Sequence, residues 1–212
     1  MKSTAPQCAK CMVRRCRPGD KRDKPLPDLC PTKNYPDIIK ESVEQNKTDP
    51  EVRAINLAWA ELLARVYQNR WSWTRIDEVM EYAKIRGIKK LGVAFCVALQ
   101  EEARLLNNIL EVNGFDVVSV CCISGEVAPK DVDIVREGGF CNPIMQAEVL
   151  NREGTELNIM IGLCVGHDIL FIRNSKADVT PLIVKDRALG HNPAIALYLS
   201  ETYYQQRFFQ KS

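Results

Sequence analysis

Nine cysteines among 212 residues set the chemistry this chain can do. Four of them, Cys8, Cys11, Cys16 and Cys30, follow a C-x2-C-x4-C-x13-C spacing, with Pro31 after the last. Four thiolates complete the tetrahedral shell of zinc or hold the irons of an iron-sulfur cluster, and a two-residue gap lets neighbouring cysteines wrap one ion. The expectation is a metal centre on these four residues. Its identity stays open, because zinc ribbons pair two C-x2-C knuckles and ferredoxin-type runs are tighter. Arg14, Arg15 and Arg17 stand among the ligands, where they either offset the charge of a tetrathiolate or touch nucleic acid. No interleaved aromatics support the second use.

The other five, Cys96, Cys121, Cys122, Cys141 and Cys164, share a position rather than a spacing. Cys96, Cys121, Cys122 and Cys164 each follow an apolar, strand-like run, and Cys141 precedes Asn142-Pro143, an N-cap and first-turn pair. In open α/β sheets the carboxyl ends of the strands form the binding crevice. Thiols at helix N-termini there are acidified toward the thiolate, which attacks electrophiles or binds metal. Cys96, Cys122, Cys141 and Cys164 are therefore candidates for a thiol or second metal or cluster site. Cys121 and Cys122 point to opposite sides if extended, which favours Cys122. Within Gly162-Leu-Cys164-Val-Gly166-His167-Asp168, two glycines permit close backbone approach, and His167 and Asp168 serve as ligand, proton carrier or cap. Lys185-Asp186-Arg187 and His191 form a group suited to an anionic substrate. Cys164, His167 and His191 are the candidate catalytic residues. Neither a P-loop nor a G-x-G-x-x-G string is present.

The elements that must position these groups are legible from periodicity. Residues 1–33 hold nine basic residues against three acidic ones, five prolines and little to bury, so metal rather than a core must order them. Helices are expected from residue 36 to about 46, from 50 to about 69 behind Asp49, and from Thr74 to Gly87. Strands at 89–95, 115–120, 157–163 and 179–184 then alternate with helices at 99–112, 143–151, 167–174 and 193–203. Residues 124–135 read as a turn and a short edge strand. The fold class is α/β, a three-layer sandwich with a mainly parallel, Rossmann-like sheet. Residues 1–35 form a cysteine-rich metal-binding arm, and residues 36–212 an α/β domain with N-terminal helices.

Net formal charge is +2 and 46% of residues are hydrophobic, which excludes a disordered chain and a dedicated polyanion binder. The apolar runs are far shorter than the ~20 residues that cross a bilayer, and the N-terminus lacks the apolar core of a signal peptide. The expected location is a reducing cytoplasm, where an odd number of thiols argues for metal or thiol chemistry over disulfides.

Together, the four-cysteine string, Ala94-Phe95-Cys96, Val120-Cys121-Cys122, Cys141-Asn142-Pro143-Ile144, the 162–168 stretch, Lys185-Asp186-Arg187 and 189–193 resemble the bacterial and archaeal family designated domain of unknown function 1847. The resemblance implies metal binding and leaves activity, substrate and metal unassigned. The leading expectation is a metal-binding protein, zinc or iron-sulfur, whose crevice thiols do redox or sulfur-transfer chemistry with a small anionic substrate or a redox partner protein. The alternative is a zinc-stabilised, non-catalytic binding or adaptor module.

Overall fold

Strands form where apolar and β-branched residues run without interruption; the runs at Lys90–Phe95 and Leu157–Ile161 are buried on both faces, as the middle of a parallel sheet requires, while those at Asp116–Cys121 and Asp178–Ile183 are partly exposed. The computed structural model describes residues 5–13, 15–16, 25–69, 72–135 and 137–210. It divides into two compact units, Met1–Glu61 and Leu62–Ser212.

In the first unit a single 3-10 turn, Cys8–Lys10, precedes the short helix α1 (Pro31–Asn34) and the longer α2 (Pro36–Thr48). Helix α3 (Pro50–Gln68), which begins in this unit and runs past its boundary at Glu61, starts at Pro50 behind Asp49, whose carboxylate accepts the N–H groups of Glu51 and Val52. On α2, Ile38, Ile39 and Val43 share a side but are exposed.

The second unit continues with α4 (Arg75–Arg86), β1 (Lys90–Phe95), α5 (Gln100–Val112), β2 (Asp116–Cys121), α6 (Pro143–Glu153), β3 (Leu157–Ile161), α7 (His167–Asn174) and β4 (Asp178–Ile183). Two short helices, α8 (Ala194–Tyr198) and α9 (Gln205–Phe209), follow. The capping signals in the sequence are made in space: Thr74 and Asp77 form a reciprocal capping box, and Gly87 ends α4 in the left-handed region.

The four strands are all parallel in the order β2-β1-β3-β4. Alternation divides the core into two layers. Leu91 and Val93 of β1 and Leu157, Ile159 and Ile161 of β3 pack with Val79, Met80 and Ala83 of α4 and Ala103, Leu106 and Leu110 of α5. Ala94, Met160 and Val120 face the other way, onto Ala147 and Leu150 of α6 and Phe171 of α7. The result is a three-layer α/β sandwich. Gly92 in β1 is required by this second layer, since a Cβ there would lie 1.9 Å from the side-chain oxygen of buried Asn158.

Two expectations need correction. Residues 124–135 contain no strand; Pro129 starts a 3-10 turn, Pro129–Val132, and Asp131 turns back to accept the N–H of Ala128, which takes that backbone out of any ladder. The helix expected over 193–203 breaks after Tyr198. The Thr202 hydroxyl and the Tyr204 backbone N–H both bond to the carbonyl of Leu199, closing a local turn in place of continued helix.

Candidate functional site

The carboxyl ends of β1 and β3 are neighbours, while the chain leaves β1 toward β2 on one side and β3 toward β4 on the other. This is the point of the sheet where the order of connections reverses, the place where open α/β sheets bind ligands. Cys96 is the first residue after β1 and its N–H bonds to Ile161 of β3. Cys122 is the first residue after β2, with its N–H on Phe95. Both are buried, in the layer that faces α6 and α7.

Three thiols meet here. The Asn142 N–H bonds to the Cys122 carbonyl at 2.7 Å, which fastens the segment before α6 to the end of β2 and packs half-buried Cys141 against the same cluster. The Cys122 sulfur accepts the Val97 N–H at 3.4 Å, and its S–H lies between Cys96 and Cys141. Burial pushes the Cys122 thiol well above its usual range, and its sulfur neighbours add to this, so it stays protonated.

Cys96 is moved the opposite way. Burial alone would raise it, but the Lys185 ammonium donates to its sulfur at 2.6 Å, with help from the Ala98 N–H and the Cys122 thiol. The net effect holds Cys96 below the ordinary thiol value. Lys185 leaves the end of β4 and reaches across the end of β3 to the end of β1. Gly162, at φ 57°, is required on this path by Leu99, whose Cδ1 would lie 2.0 Å from a Cβ there, while the Lys185 stem would meet that Cβ at an ordinary contact distance of 3.6 Å.

The loop after β4 is itself tightly built. The Asp186 carboxylate accepts the N–H groups of Ala188 and Leu189. His191, in the left-handed region at φ 65°, gives its N–H to the Asp186 carbonyl and accepts the Asp186 N–H on Nδ1. Neutral His191 thus carries its proton on Nε2. Arg187 of the same loop donates to Cys164 Sγ at 3.2 Å. His167 contributes its backbone N–H to the Cys164 carbonyl, and the Asp168 carboxylate, in the first turn of α7, accepts the N–H groups of Gly166 and Ile169 and so is engaged with backbone at the helix start.

The structure therefore brings Cys96, Cys122 and Cys141 together and ties Cys164 to the same edge through Arg187. Cys121, one residue earlier in the pleat than Cys122, is half-buried outside this cluster. Sequence reasoning missed Gln146. Its amide, fully buried on α6, donates to the carbonyls of Phe95 and Val120 and so holds the ends of β1 and β2 where Cys96 and Cys122 begin. Its spacing from Pro143 and Leu150 on the buried face of α6 was the available signal.

The N-terminal thiols occupy a different unit. Cys8–Lys10 curls so that the Cys11 N–H bonds to the Cys8 carbonyl, closing the C-x2-C gap into a knuckle. Cys30 heads α1, where desolvation pushes its thiol up but the Thr32 hydroxyl, the Thr32 and Lys33 N–H groups and nearby Arg15 bring it below the ordinary value. The donor chemistry suits a thiophilic metal. Among the described residues no group of three or more His, Cys, Asp or Glu side chains stands ready to hold an ion, so metal would have to draw these thiolates together. Arg14 and Arg17 lie outside the described residues.

A family model described as "Protein of unknown function (DUF1847)" matches residues 30–182, a span that contains all five thiols of the α/β domain. An uncharacterized protein of Methanocaldococcus jannaschii is 37% identical over 212 residues, covering 96% of this chain and 98% of its own. No solved structure matches this chain. No helix among the described residues is long and apolar enough to cross a membrane.

Proposed function

Because the chain belongs to the DUF1847 family, whose shared sequence assigns no reaction, we propose its function from the carboxyl edge of the sheet: redox or sulfur-transfer chemistry on a small anionic substrate, with Cys96 as the attacking thiolate. The observation that carries this reading is the 2.6 Å contact between Lys185 Nζ and Cys96 Sγ at the sheet's reversal point, backed by a protonated Cys122. The thiolate is the nucleophile in thiol exchange, and an adjacent cation stabilises it.

The Cys96 thiolate attacks one sulfur of an incoming disulfide or persulfide. The sulfur–sulfur bond breaks, and the departing thiolate takes the proton of Cys122. Cys122 then attacks Cys96, releasing the retained half of the substrate and leaving a Cys96–Cys122 disulfide, so two electrons pass from protein to substrate. Cys96 lies under Lys185, which must swing aside to admit the substrate, and Lys185 with Arg187 offers that substrate's anionic group two cations. Cys164, His167 and His191 line the same edge as subsidiary groups. Cys8, Cys11, Cys16 and Cys30 hold zinc or an iron-sulfur cluster, which supplies folding energy to a segment with no core of its own.

The test is reaction of anaerobically reduced protein with hydroxyethyl disulfide, followed by peptide mapping. Two thiols released per chain and a Cys96–Cys122 link are expected, with Cys122→Ser arrested as a mixed disulfide on Cys96. First modification at Cys121 or Cys164 with Cys96 inert would overturn the reading.

A further inference from the structure

The Lys185–Cys96 pair has a property that thiol exchange does not use. A nitrogen and a sulfur that merely share a proton sit farther apart than the N–H···O range of about 2.7–3.2 Å, because sulfur is the larger atom. Here they are 2.6 Å apart. That separation is the span of two single bonds meeting at one oxygen atom. The lysine stem passes beside Gly162, and Cys96 is fixed by the backbone bond from its N–H to Ile161. The Cys96 sulfur also takes the thiol of Cys122, whose own Sγ accepts the Val97 N–H.

We infer that Lys185 and Cys96 are a covalent modification site, closing under oxidation into a bridge in which one oxygen links Lys185 Nζ to Cys96 Sγ. The oxidant is molecular oxygen. Thiolate and ammonium react with one O2 so that the oxygen–oxygen bond breaks, one atom forms the new sulfur–oxygen and oxygen–nitrogen bonds, and the other leaves as water with two protons from the ammonium. Sulfur and nitrogen each give up two electrons, and O2 accepts all four. Cysteine oxidation to sulfenic acid or a disulfide is the ordinary alternative. It would need either a free oxygen on sulfur where the amine already stands, or movement of Cys122 to within bonding distance. The bridge needs neither, since both atoms are already at its span. Two dithiol equivalents restore the free pair. The inference rests on the placement of the two side chains and holds whether or not Cys96 reacts with a substrate.

Intact-mass measurement and peptide mapping of full-length protein purified in air without reductant, and in parallel under anaerobic conditions, test this. The air-exposed protein is expected to gain one oxygen and lose two hydrogens, in a peptide pair joining Cys96 to Lys185. Dithiothreitol should remove the product, and it should be absent from the anaerobic sample and from Lys185→Arg, which keeps the charge. Cys122→Ser should still form it. A Cys96–Cys122 link with loss of two hydrogens alone, whole oxygens added to Cys96 without a link, or no change on air exposure would each overturn the bridge. The first of these would leave the proposed exchange chemistry standing.

Discussion

Lys185 and Cys96 leave strands that are not neighbours, yet their side chains meet at 2.6 Å across the end of the strand between them. The lysine charge is therefore specific to one sulfur out of the several at this edge.

From that pairing follows a pH signature. The rate of Cys96 alkylation by iodoacetamide should rise with a midpoint below the ~8.5 of a free cysteine, because the thiolate persists to lower pH than usual. Lys185→Gln should move the midpoint upward and slow labelling at neutral pH, because the thiolate loses its counter-charge. Peptide-resolved labelling across pH checks this; an unmoved midpoint in the variant would assign the shift elsewhere.

Gln146→Glu probes the clamp behind the thiols. A carboxylate cannot donate to the carbonyls of Phe95 and Val120, so the buried glutamate must keep a proton, and its folded-state pKa lies above its unfolded one. The sign is then fixed: stability should be near wild type below about pH 4.3 and fall as pH rises above it. A loss of about 3 kcal/mol at pH 7 is expected from urea titrations, in keeping with an uncompensated buried group. A pH-independent loss would show a packing effect instead.

Gly162→Ala should destabilise the protein by about 1–3 kcal/mol, from a left-handed backbone position and a methyl pressed on Leu99. Leu99→Ala in the same chain should relieve the contact without relieving the backbone. The double variant should therefore lose less stability than the sum of the two single changes, as denaturant midpoints will report.

For the N-terminal cysteines, Cys11→Ser should lower the metal content of anaerobically purified protein by one site's worth and leave residues 1–33 sensitive to protease. Visible absorbance would identify an iron-sulfur cluster, and colourless protein containing zinc the other occupant. Unchanged metal stoichiometry would remove these thiols as ligands.

Much of this fold is written locally. Thr74, Gly87, Asn142 and Pro143 mark helix ends through bonds to their own neighbours in sequence, and uninterrupted runs such as Leu157–Ile161 announce buried strands. The strand after Ile161 stops two residues earlier than its apolar run, because Gly162 takes a positive φ. The site is legible only to the level of which residues stand at strand ends. That Lys185 partners Cys96, while Arg187 partners Cys164, depends on the strand order and on how the loop after β4 is folded over the sheet edge. Neither has a local sequence signal. Gln146 escaped for a related reason: its two acceptors are backbone groups on strands distant in sequence.

The strand order also dictates a sequence of events at the ribosome. β1 lies against β3 rather than ending its pairings with β2, so Leu91 waits for Leu157 before the centre of the sheet can close. Pairings between distant segments carry a loop-closure cost and come late. Cys96 emerges early, and the lysine that covers it is translated after every strand is made. During synthesis this sulfur therefore passes through an interval without its counter-charge, and a nascent chain halted before β4 would present Cys96 bare to whatever oxidants or stray metal ions the cell contains.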